Sequence, residues 1–62
     1  MNVLKYKRIL KEWSQEELAF QAGLHQGDIS KFESDRLQPY PVQAKRLAEV
    51  LDVHQDDLLK EA

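Results

Sequence analysis

The sequence predicts a compact all-α fold of five short helices, and three observations point there. Apolar residues recur at spacings of three and four along most of the chain, the pattern of one buried helix face, and no strand signal breaks it. Helix-starting residues stand at the heads of two such stripes: Ser14 with Glu17 three positions on, and Pro41 ahead of Val42. Gly23 stands where the stripe after Ser14 ends, and glycine readily takes the left-handed conformation that closes a helix.

The 62 residues allow one domain, spanning 1–62, with a core so small that idealised packing or an oligomeric partner is usually needed. There is no cysteine, which excludes disulfides and thiolate metal sites and is compatible with a reducing cytoplasm. No apolar run approaches the length of a membrane span, and the N-terminal residues lack the apolar core of a secretion signal. A soluble cytoplasmic protein with no membrane association is expected. The net charge of -2 taken alone argues against nucleic acid, but its distribution softens that reading. Acids and bases balance through Gln38; the surplus acid lies in the tail, where Glu49, Asp52, Asp56, Asp57 and Glu61 outnumber Lys45, Arg46 and Lys60. Phosphate binding depends on local positive charge and helix N-termini rather than on the total. The expected electrostatic contribution is modest, and weak non-specific affinity should follow.

In chain order, residues from about Asn2 to Glu12 read as a first helix with Leu4, Tyr6, Ile9 and Leu10 as apolar candidates. A second stripe, Val3–Tyr6–Leu10–Trp13, also fits, so two registers on the core stay open. Trp13 precedes the capping serine, from where it can staple onto Leu18 as a core residue. The second helix starts in the capping box of Ser14 and Glu17 and buries Leu18, Ala19 and Ala22. Phe20 falls off that face as an exposed aromatic. After Gly23, Leu24 is expected as a buried plug, and a third helix opens near Gln26 with Ile29, Phe32 and Glu33 inward. Ser34 to Tyr40 is a polar loop containing Pro39, and Pro41 suits the first position of a fourth helix. Val42, Ala44, Leu47, Ala48 and Leu51 supply that helix's inner face. Val53 docks inward, and Gln55 to about Glu61 form a last helix carrying Leu58 and Leu59, with Asp56 and Asp57 at its positive end.

At about 100° per residue, Gly27, Ser30, Lys31 and Ser34 gather on the outer side of the third helix, with Gln26 at the edge. A polar, aliphatic-free face is ordinarily a solvated one. Here it follows a helix and a tight turn containing glycine. That arrangement, over about residues 14–33, is the helix-turn-helix that lets a second helix enter a DNA major groove.

The string S-Q-E-E-L-A-x-x-A-G-L, then I-S-K-F-E, then a short loop and Pro39, resembles the phage-repressor (Cro/C1-type, XRE) helix-turn-helix family from roughly Leu4 to Leu59. The LAFQAGLH segment is also similar to the controller proteins of restriction–modification systems. The resemblance implies a lambda-repressor-like five-helix domain that binds double-stranded DNA as a symmetric homodimer. It implies a transcriptional regulator, a repressor among the roles, with no cofactor. It also implies that Arg8 pairs with Glu33, and that Gln15 hydrogen-bonds a phosphate and braces the first residue of the recognition helix, about 26–33. The chain departs from the family pattern at Lys7, where an apolar residue is usual, and at Asp35 and Asp52, where glycine is. Controller-like relatives tend to carry an aromatic where this chain has Asp28.

Residue by residue, Gln26 can read adenine, its amide giving one donor and one acceptor against N7 and N6. Gly27 offers only close approach of backbone to DNA. Ser30 can touch a base or phosphate, and Lys31 either reaches guanine or a phosphate or is simply solvated. Ser14, Gln15, His25, Ser34 and Arg36 are the candidate phosphate contacts, with N-capping as the other reading of His25. Asp28 either back-bonds the His25 amide as a cap or accepts from cytosine N4; the helical wheel favours the cap. Val53, His54 and Leu58 are the candidate dimer surface. His25 and His54 have no ligand-spaced companions, and there is neither a thiol nucleophile nor a glycine-rich phosphate loop, so no metal site and no enzymatic role are expected. The competing reading is a protein-interaction or antitoxin-like module on the same fold, motivated by Asp28, Gly27 and the acidic tail.

Overall fold

A computed structural model describes residues Met1–Ala62. Four α-helices, α1 (Val3–Leu10), α2 (Gln15–Ala22), α3 (Gln26–Glu33) and α4 (Pro41–Leu51), are followed by one 3₁₀ turn, Gln55–Asp57. They enclose Leu4, Leu18, Ala19, Ala22, Ile29, Phe32, Leu47, Ala48, Leu51 and Leu58, with Trp13, Leu24, Ala44, Val50 and Val53 packed around them. No helix is long and apolar enough to cross a membrane.

All four helices end in the same motif. A residue in the left-handed region follows the last turn at Glu12 (φ 58°), Gly23 (φ 69°), Asp35 (φ 60°) and Asp52 (φ 58°). The next amide then reaches back five residues: Trp13 to the Arg8 carbonyl, Leu24 to Ala19, Arg36 to Lys31 and Val53 to Ala48, at 2.8 to 3.2 Å. These bonds satisfy carbonyls the ending helix leaves open. One of the four left-handed positions is a glycine. Glu12 and the two aspartates hold a conformation that L-residues disfavour.

The helix starts are less uniform. Ser14 Oγ accepts from the Glu17 amide at 3.0 Å, but the reciprocal arm of the expected capping box is absent. The Glu17 carboxylate instead accepts from Gln21 Nε2 at 2.9 Å, one turn along α2. His25 stands at the N-cap of α3 without a side-chain bond, and Asp28 makes none to the His25 amide. Asp28 sits in the first turn of α3, where the helix dipole alone favours it. Pro41 opens α4 as expected, while Gln43 Oε1 accepts from the Tyr40 amide at 2.8 Å.

The fifth helix is replaced by the 3₁₀ turn and an extended end. The physical reason lies at the start of the chain, where α1 needs acceptors for its first amides. Val3 donates to the Lys60 carbonyl at 2.8 Å and Leu4 to the Leu58 carbonyl at 2.9 Å, so those carbonyls serve α1 rather than a helix of their own. Asn2 bridges to Glu61, and the Ala62 amide donates to the Met1 carbonyl. Asn2 itself is buried to 1% exposure and uses both ends of its amide. Its Oδ1 accepts from the Lys5 amide at 3.0 Å, and its Nδ2 donates to the Phe32 carbonyl at 2.9 Å and to Asp35 Oδ1 at 3.2 Å. Nothing in the residue pattern marked Asn2 for this.

Two apolar stripes need correction. On α1 only Leu4 is fully buried, while Tyr6, Ile9 and Leu10 are 44%, 45% and 58% exposed. The inward side of α1 is Leu4 followed one turn later by Arg8, because a buried carboxylate waits there for the guanidinium. Neither of the two expected registers is the one adopted. On α4, Val42 is 58% exposed. The inner face runs Ala44, Leu47, Ala48, Leu51, and Val42 lies about 200° from Ala44 around the helix.

Candidate nucleic-acid interface

The turn at Gly23 positions everything that follows. Its left-handed φ lets Leu24 fold back onto the core, and α3 then leaves across α2 with Ile29, Phe32 and Glu33 inward. A Cβ at Gly23 would meet only Arg46 Nη1, at an ordinary 3.7 Å. Backbone conformation, rather than space, makes glycine the suitable residue.

Behind α3 runs a chain of polar side chains. Arg8 Nε donates to Glu33 Oε2 at 2.6 Å and Nη2 to Oε1 at 3.0 Å, a bidentate pair, while Nη1 donates to the Trp13 carbonyl at 2.7 Å. Gln15 Nε2 donates to Glu33 Oε1 at 3.0 Å, and Gln26 Nε2 donates to Gln15 Oε1 at 3.1 Å. The order of donors is forced. An ionised carboxylate only accepts, so Gln15 must turn its NH₂ to Glu33 and its oxygen to Gln26. Gln26 must then present its own NH₂ to Gln15. Its Oε1 and one remaining N–H are left without partners in the protein. No buried side-chain polar atom goes unsatisfied anywhere in the structure.

The outer side of α3 carries Gln26, Gly27, Ser30, Lys31 and Ser34, all exposed. A Cβ added at Gly27 would meet nothing within 4 Å, so the glycine is not demanded by the protein's own packing. Lys31 pairs with no acid. Ser34 Oγ donates to the Ser30 and Lys31 carbonyls, at 3.1 and 3.2 Å, so its proton points into its own helix end. Ser14 spends a lone pair on the Glu17 amide and keeps its proton free. His25 is exposed at the start of α3, and Arg36 is exposed just past its end. Gln15 and Gln26 are brought into contact; Gln15, Ser30 and Ser34 line one notch together with Glu33 and Lys5. Lys5 was not singled out from the residues alone. Its spacing of three from Arg8, on a helix whose inward side carries Arg8, was the signal available.

The expected dimer surface is altered. Leu58 is 1% exposed inside the core and cannot face a partner. Val53 is half-buried against the same core. Of the three, only His54 is exposed, with Nδ1 accepting from the Asp56 amide at 3.3 Å. No three His, Asp or Glu side chains come together as metal ligands.

A family model described as helix-turn-helix matches residues 4–58, nearly the whole chain. The chain belongs to the Cro/C1-type (XRE) helix-turn-helix family. This family is one of DNA-binding regulators, and in the present XRE protein α2 and α3 are the two helices of the motif. Comparison with curated proteins finds no match.

Proposed function

We propose that residues 1–62 of this XRE protein form a single domain that binds duplex DNA sequence-specifically and regulates transcription as a homodimer in the cytoplasm. The observation that carries the reading is the orientation of Gln26. Its amide is held from behind by Gln15, Glu33 and Arg8, and what it turns outward is one acceptor and one donor. That pair matches adenine N6 and N7 in the major groove. Ser30 and Lys31 lie further along the same face, Lys31 within reach of guanine, and Gly27 lets the backbone come close. Ser14, Gln15, His25 and Arg36 flank the face as phosphate contacts that set register, and Ser34 joins them by turning its hydroxyl away from the Ser30 and Lys31 carbonyls. One such helix makes few base contacts, so two copies on half-sites about 34 Å apart supply operator affinity.

Selection of bound duplexes from a random pool tests this. Enrichment of a two-fold site is expected, with Gln26→Ala weakening that site by about 1–3 kcal/mol and leaving non-specific binding nearly unchanged. A pool that never enriches removes sequence recognition. The Asp28 carboxylate, unbonded beside Gly27, repels phosphate and supports a second reading, a protein-interaction or antitoxin-like module. A salt titration separates the two. Duplex affinity that falls steeply with salt marks DNA binding, whereas no duplex retained at low salt marks the protein module.

A further inference from the structure

The Lys5 side chain takes part in none of the hydrogen bonds or ion pairs above, yet it lies among residues that do. It is half-buried on α1, three positions before Arg8, and lines a notch of about 250 Å³ with Gln15, Ser30, Glu33 and Ser34. No apolar side chain enters that lining. Its two charged walls differ. Both Glu33 oxygens are occupied, Oε2 by Arg8 Nε at 2.6 Å and Oε1 by Arg8 Nη2 and Gln15 Nε2 at 3.0 Å each. The bidentate guanidinium cancels that carboxylate at contact distance. The Lys5 ammonium, by contrast, pairs with no carboxylate of the protein.

The notch therefore holds one uncompensated positive charge beside unspent donors. Gln15 Nε2 carries a second hydrogen beyond the one given to Glu33, and the Ser30 hydroxyl has no partner in the protein. One cation with neutral donors suits a singly charged oxyanion. Ser30 and Ser34 belong both to the notch and to the exposed side of α3, so a duplex seated on that side brings its backbone to the opening. We infer that the notch is a phosphodiester subsite, with Lys5 as its cation and Gln15 and Ser30 as its hydrogen-bond donors. The inference rests on the DNA-binding reading and extends it. The subsite fixes the protein's register on the backbone and carries no base information.

Binding of wild type, Lys5→Gln, Lys5→Arg and Lys45→Gln to a selected duplex and to a random-sequence duplex, over a salt series, tests it. Lys45 lines a different groove, with Asp52, Val53 and His54 on the α4 side. Lys5→Gln is expected to lower the slope of log affinity against log salt by about 0.9 per protomer, about 1.8 for the homodimer, on both duplexes, or about sixtyfold in affinity at 0.1 M salt. Lys5→Arg and Lys45→Gln should keep the wild-type slope, and Lys5→Gln should melt like wild type because Lys5 has no internal ion partner. An unchanged slope in Lys5→Gln, a loss on the selected duplex alone, or an equal loss in Lys45→Gln overturns the subsite and leaves DNA binding standing. A wild-type protein that retains no duplex at any salt overturns the DNA-binding reading itself.

Discussion

The first helix is fastened at both ends by polar groups, and the two fastenings differ in kind. At its C-terminal end, Arg8 ties α1 to Glu33 and onward through Gln15 to Gln26, a run made of side chains. At its N-terminal end, Val3 and Leu4 give their amides to the carbonyls of Lys60 and Leu58, and Asn2 is the one side chain that takes part in the capping. The first network depends on residue identity at every link and finishes on the exposed side of α3. The second is mostly backbone and finishes in the core. Mutation should therefore reach function through the first fastening and stability alone through the second.

The strongest way to break the contrast is Arg8→Ala. It leaves the Glu33 carboxylate, whose side chain is 4% exposed, without its cation, which costs about 3–5 kcal/mol in such settings. That is a large share of the stability a small domain holds, and a urea midpoint would show it. The double change Arg8→Met with Glu33→Leu sharpens the point. Replacing both charges with apolar groups is expected to restore most of the stability, while duplex selection should show relaxed recognition because Gln15 has lost its anchor. Recovery of both would mean that the Gln26 orientation does not depend on the relay.

Asn2→Ala is the matching test at the other end. It removes the N-cap of α1 and strips partners from the Lys5 amide and the Phe32 carbonyl, and about 2 kcal/mol of destabilisation is expected. Once corrected for the folded fraction, affinity for duplex should be unchanged. A selective loss of affinity would tie the backbone fastening to the interface after all.

Gly27→Ala should move stability and binding in opposite directions. Glycine within a helix is about 1 kcal/mol less favourable than alanine, and the space around Gly27 is open. The variant should melt higher and hold its selected duplex less tightly; tighter binding would remove close backbone approach from the mechanism. The smallest effect is expected at the helix ends. Asp52→Gly relieves a left-handed aspartate whose side chain makes no hydrogen bond or ion pair, for a gain of about 0.5–1 kcal/mol read by thermal melting. Asp35→Gly should gain less, because Asp35 Oδ1 accepts from Asn2 Nδ2.

Much of the motif was legible from residue types. Ser14, Gly23 and Pro41 mark backbone events that their own chemistry favours, so the boundaries of α2 and the starts of α3 and α4 followed. Ile29, Phe32 and Glu33 fell inward and Gln26, Gly27, Ser30 and Lys31 outward, because an eight-residue helix between two fixed turns has little rotational freedom. α1 was misread for the opposite reason. Its apolar residues are spread around the helix, so periodicity could not say which side faces in. The Glu33 carboxylate decided it by drawing Arg8 inward and turning Tyr6, Ile9 and Leu10 toward solvent.

Local sequence alone thus determined the two helices and glycine turn of the motif, since capping, left-handed closure and side-chain spacing all act within a few residues. Only the tertiary structure decided how α1 is rolled, how the tail ends and which way the Gln26 amide points. Those depend on hydrogen-bond partners from 11 to 61 positions away along the chain, and a donor's partner at such a distance is set by the packed fold.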